Sequence, residues 1–197
     1  MTVAIDPAKR WTADEFMVTD QSLFGDGWRY ELVDGRIVGH AAPSPEHGAI
    51  VAGLAGALVR LRSRLPEGCR PEAGSAAAPV SVQRNSARIP DVMVRCGEHP
   101  RVMFAVISPS EMRGWRGRDL KRQHLQAVRG IQEIIELSQD DYAAHSFRLL
   151  PGGVWTFEAM SGPDAELRLD SIGIEIPLAE IYQFADIAQP DQAGTPA

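Results

Sequence analysis

Cysteine is scarce in this chain: Cys69 and Cys96 are the two in 197 residues. They form no C-x-x-C pair, so neither a zinc site nor a disulfide framework is expected, and reduced thiols are. No apolar run approaches the length of a bilayer-crossing helix. Residues Met1 to Arg10 lack the basic start and apolar stretch of a signal peptide, so the expectation is a cytoplasmic protein with no membrane partner. A net positive charge is missing as well. The formal net charge is -6, so the chain as a whole does not attract phosphate backbones. Any contact with nucleic acid must then use a local basic patch. His40, His99, His124 and His145 show no metal-ligand spacing. No internal repeat or linker interrupts the chain.

What is present suits one globular domain. A hydrophobic fraction of 44% and a charged fraction of 23% are ordinary for a packed core. The boundaries expected are 1–10 as a loose N-terminus, 11–186 as the domain and 187–197 as a disordered tail. Thr12 and Glu15 form a capping box for a first helix, with Trp11 placed as a hydrophobic staple. Asp34-Gly35, between β-prone runs, predicts a hairpin from Trp28 to His40. A helix is predicted from Glu46 to about Leu65, with Ile50, Leu54, Leu58 and Leu61 at helical spacing. Strands are predicted over Pro79–Gln83, Ile89–Val94, Val102–Ile107 and Ile131–Leu137. The nearly all-apolar Val102–Ile107 belongs mid-sheet. A helix from Arg116 to Arg129, a hairpin around Pro151-Gly152-Gly153 and a short helix at Leu178–Tyr182 complete the pattern. The class is α/β (α+β), a central mixed β-sheet flanked by helices.

Five segments then share an order and spacing with a known family. Tyr30-Glu31-Leu32-Val33-Asp34-Gly35, Ser44-Pro45-Glu46-His47, Pro90-Asp91-Val92, Val106-Ile107-Ser108-Pro109-Ser110 and Leu178-Ala179-Glu180-Ile181-Tyr182 resemble the motifs of Uma-two-type proteins. These are bacterial members of the PD-(D/E)XK nuclease superfamily. The resemblance implies a restriction-endonuclease-like fold and a DNA-cleaving hydrolase that uses Mg2+ or Mn2+. It also implies a homodimer. The chemistry explains the motif residues: a hard cation needs converging carboxylate oxygens, and it activates water and neutralises developing charge. By resemblance, Glu31 is the N-terminal acid and Asp91 the central metal ligand. The lysine of the family's later helix falls on Arg122, with Lys121 one position away.

The site departs from the family pattern. The second strand carboxylate falls on Ala105, and a methyl group cannot ligate a metal. Arg122 stays protonated and can hold phosphate but cannot act as a base. Glu46, Glu111, Asp119 and the carbonyl of Val106 are candidate substitutes. The bland readings are that Glu31 faces solvent on an alternating strand, that Asp91 caps a strand end and that His47 packs in a first helical turn. On a helical wheel Leu120, His124, Ala127, Val128 and Ile131 form the expected core seam of the later helix. Arg118, Arg122 and Arg129 fall opposite, as a solvated face or, with Arg113 and Arg116, a phosphate-binding patch. Trp115, in the loop just past the site, is a candidate for stacking on bases. Two functions stay open. One is a metal-dependent endonuclease with a reduced carboxylate set, using Glu31, Asp91 and Lys121 or Arg122. The other is a catalytically silent nuclease-fold protein that binds nucleic acid or another protein.

Overall fold

The computed structural model describes residues 8–25, 28–40, 42–74, 78–79, 85–109, 111 and 115–187, apart from the side chains of 21, 78, 79 and 115. The predicted strand beyond Pro79, the Arg113 contribution to a basic patch, the Trp115 side chain, most of the N-terminus and the tail from Gln189 lie outside them. Among the described residues, no helix is long and apolar enough to cross a membrane.

The larger sheet has six strands: β3 (Cys69–Ala73), β6 (Val92–Cys96), β7 (His99–Ile107), β8 (Glu133–Ser138), β9 (Ala143–Leu150) and β10 (Val154–Ser161). Their order is β10-β9-β8-β7-β6-β3, with β7 and β8 parallel and the other neighbours antiparallel. The sheet is therefore mixed, as expected. Helix α3 (Trp115–Gln126) makes the crossover between the parallel pair. Strand β7 is central, and its apolar run follows from coverage on both sides. Val102, Phe104 and Val106 join a core with helix α2 (Pro45–Arg60) and α4 (Leu178–Ile181). Met103, on the opposite face, packs with Leu125 and Val128 from α3 and the residues just after it.

A second sheet runs β2 (Arg36–His40), β1 (Arg29–Val33), β5 (Ala87–Arg88), β4 (Ala78–Pro79). Its hairpin turns at Asp34 (φ 48) and Gly35 (φ 79), the left-handed pair that a type I′ turn demands. Helix α1 (Ala13–Val18) starts on the predicted capping box, with both reciprocal bonds formed, and packs Phe16 against Phe24, Tyr30 and Leu32. A third, two-stranded sheet, β11 (Glu166–Leu169) and β12 (Ile174–Pro177), caps the α2 side of the core.

Two expectations are corrected here. Cys69 and Cys96 are register partners on β3 and β6, with Cα atoms 4.0 Å apart, and they are joined as a disulfide. The pairing depends on a strand, β3, that the sequence pattern did not reveal. The wheel of α3 holds on one side only: His124, Val128 and Ile131 are buried as expected, whereas Arg118 and Arg122 do not form a solvated face. Arg118, Lys121, Arg122 and Leu125 fall within one arc of the helix, and both arginines are directed at the sheet, each paired with the buried Glu136 of β8. Counter-charge in the sheet holds the arginine side, and apolar contacts of Leu125, Val128 and Ile131 hold the adjoining one.

Candidate active site

Glu31 and Asp91 reach the same place from different elements. Strand β1 carries Glu31 and pairs with β5 through Leu32 and Ala87, which sets Glu31 beside Arg88 and Ile89. Asp91 stands just before β6. Its N–H donates to the carbonyl of Phe104 (2.9 Å), and its own carbonyl accepts from the Gly74 N–H (2.8 Å). Helix α2 begins at the Ser44 cap with Pro45 in its first turn, which directs His47 to Asp91. Lys121 comes from α3.

These residues line one cavity of about 590 Å³, along with Arg29, His40, Ser44, Val106, Ser108, Glu111 and Gln139. Both acids are buried, Glu31 at 4% exposure and Asp91 at 6%. The solvent-facing reading of Glu31 is thereby overturned: β1 lies inside its sheet, between β2 and β5.

Each carboxylate is held by N–H donors. Glu31 Oε2 accepts from Arg88 Nη1 at 2.7 Å and lies 3.2 Å from His40 Nε2, while Oε1 accepts from the Ile89 N–H at 2.9 Å. Asp91 Oδ1 accepts from Arg29 Nη1 at 3.2 Å and lies 3.1 Å from His47 Nε2; Oδ2 accepts from the Val106 N–H at 2.9 Å. Burial pushes the Glu31 pKa up. The His40 contact, the charges of Lys121 and Arg88 and the Ile89 N–H outweigh it and bring the value from 4.5 down to about 2. Asp91 behaves alike: burial raises its pKa, and His47, Lys121 and the Val106 N–H bring it below the usual range. Both acids are therefore ionised at neutral pH, and the Lys121 charge acts on both.

Of the two helix-borne cations considered, Lys121 lines the cavity and Arg122 does not. Arg122 pairs with Glu136 and Asp119 and lies over the Phe147 ring, its guanidinium carbon 4.5 Å from the ring centre. Among the substitute acids, Glu111 is at the cavity and accepts from Ser108, while Asp119 is turned to Arg122. Arg29, Arg88 and His40 were not foreseen as site residues. Their only sequence signal was position beside Glu31, at the far end of its hairpin or shortly before Asp91.

Two carboxylates at one cavity are of the donor type that Mg2+ accepts, because it commonly binds through one or two carboxylates and keeps several waters. Among the described residues, no group of three or more His, Cys, Asp or Glu is close enough to hold one ion. Ala105, where the resemblance would put a further acid, supplies no side-chain oxygen. It is buried on the α3 face of β7, and its register partner on β8 is Glu136.

A mixed sheet flanked by helices, with two buried acids and a helix-borne lysine at one cavity, defines a nuclease-like fold. The match to known proteins agrees. The model of the Uma2 family, described as "putative restriction endonuclease", matches residues 13–179, and the chain belongs to that family. A solved structure, "a putative nuclease belonging to DUF820 from Anabaena variabilis", is similar at 16% identity and a TM-score of 0.64. The likeness covers 88% of this chain and 98% of that one, and it supports the fold. No curated protein matches the chain.

Proposed function

We propose that this chain is a divalent-metal-dependent DNA endonuclease working with a reduced carboxylate set. The observation that carries the reading is the convergence of Glu31, Asp91 and Lys121 on one cavity. Glu31 and Asp91 would hold Mg2+ or Mn2+, which when bound supplies an acidified water and neutralises charge on the scissile phosphate. The chain's own part is electrostatic. The depressed carboxylate pKa values keep both acids ionised across the neutral range. Lys121 brings a compact positive charge to where the phosphate oxygens would lie. Arg29, on the cavity wall and one-third exposed, is placed to meet the backbone of the substrate.

A second reading has its own support. Ala105 removes one ligand, and Arg29, His47, Arg88 and His40 already occupy the two remaining carboxylates. A catalytically silent protein that binds nucleic acid or a protein partner would look the same. Plasmid nicking with MgCl2 or MnCl2 separates the two. The endonuclease reading expects metal-dependent nicking that Asp91→Ala and Lys121→Met abolish. Equal cleavage by Asp91→Ala would expose a contaminant. No cleavage, together with no Mn2+-dependent rise in melting temperature, would leave the silent reading. A domain spanning 11–186, a homodimer and a cytoplasmic site of action complete the proposal. Light scattering on the purified protein tests the dimer.

A further inference from the structure

Three charged residues of α3 face a sheet, an arrangement that costs desolvation unless something opposes it. Glu136 opposes the two arginines, as Glu31 and Asp91 oppose Lys121. Glu136 is 5% exposed on β8 and sits opposite Ala105 on β7. Ala105 alternates with Met103, and Glu136 with Ile134, both in the α3-side core, so Glu136 and Ala105 share the α3 face. Asp91 stands at the next strand, its carboxylate on the Val106 N–H. The row across three strands is therefore acid, methyl, acid, and the outer acid takes both arginines. Arg118 Nε donates to Glu136 Oε2 at 2.6 Å, and Arg122 Nη1 to Oε1 at 3.3 Å. Arg118 and Arg122 are one helical turn apart, and Lys121 lies to one side of them, about 60° from Arg118 on the wheel.

We infer that Glu136 is a positioning residue: by holding Arg118 and Arg122 it fixes the rotation of α3, so that Lys121 overhangs Glu31 and Asp91. The geometry has few alternatives. Two guanidiniums one turn apart on one carboxylate restrict the rotation of the helix. A turn of one residue, about 100°, would take Lys121 off the cavity. The catalytic meaning of the inference rests on the endonuclease reading; the positioning itself does not.

The chain contains two lysines, Lys9 and Lys121, so side-chain labelling of lysine yields two NMR signals, one of them an internal control. In the wild type, Asp91→Asn should shift the Lys121 ε-methylene signal and leave that of Lys9 in place. In a Glu136→Gln background the same change should move Lys121 by less than half as much, and Glu136→Asp should restore most of the response. Should Glu136→Gln fail to fold, the variant Glu136→Met/Arg118→Met/Arg122→Leu removes all three charges together and takes its place; it should show the same loss of response. An undiminished Lys121 response in either folded variant, or none in the wild type, overturns the inference. Nicking is read separately. Coupling that behaves as expected without nicking would sink the endonuclease reading alone, and nicking with unchanged coupling would sink this one alone.

Discussion

Replacing Glu31 by glutamine tests the electrostatics of the site without reference to activity. The carboxylate is buried, and its pKa falls from 4.5 to about 2 on folding. A pKa that is lower in the folded state stabilises the protein fully above the unfolded value and less and less as pH falls through the folded one. The window is therefore about pH 5 down to about pH 2. At about 1.4 kcal/mol per tenfold change in proton affinity, the stabilisation is about 3 kcal/mol. Glutamine keeps the shape but leaves the buried Arg88 without an anion, a loss of about 3–5 kcal/mol at neutral pH. Urea unfolding followed by circular dichroism, from pH 7 to pH 2, gives both curves. The wild type should be the more stable at pH 7, and its advantage should shrink by about 3 kcal/mol between pH 5 and pH 2. Asp91 titrates in both proteins, so its effect largely cancels. Two curves that run parallel over that window would refute the account of Glu31.

Other perturbations probe the neighbouring features. Ala105→Asp sets a third carboxylate between Asp91 and Glu136 and should cost about 2–4 kcal/mol without metal; in scanning fluorimetry its Mn2+-induced rise in melting temperature should exceed that of the wild type. Gly53→Ala would place a Cβ 2.1 Å from the Ile181 carbonyl oxygen, where α2 and α4 touch. A loss of about 2–3 kcal/mol is expected, seen as a melting temperature lower by about 5–10 °C. Reduction of Cys69–Cys96 opens a loop with a sequence separation of 27. Dithiothreitol should lower stability by about 3–4 kcal/mol in a denaturant melt. Alkylation of thiols at harvest shows whether the bond forms in the cell.

Much of the scaffold was legible because local chemistry prescribed it. The Thr12–Glu15 capping box, the Asp34-Gly35 turn and the apolar β7 run each need only neighbouring residues to be read. The motif order placed Glu31 and Asp91 as the acids, and both line the cavity. The rest was hidden by long-range pairing. Strand β3 has no apolar alternation and lies on an edge, so its pairing with β6, and with it the Cys69–Cys96 bond, left no pattern. The arginine side of α3 was hidden for a related reason. Periodicity marks His124 and Val128, which are buried, but not Arg118 and Arg122, whose partner is a glutamate eighteen residues beyond Arg118. Glu136 itself lies in a run of strand residues with no mark of its partners.

The ionic seat of α3 also bears on how this region tolerates change. A helix laid on an oily stripe can exchange one aliphatic residue for another and settle again. Here, loss of the acid at position 136 leaves two arginines at the sheet without their shared anion, so changes at 118, 122 and 136 are coupled.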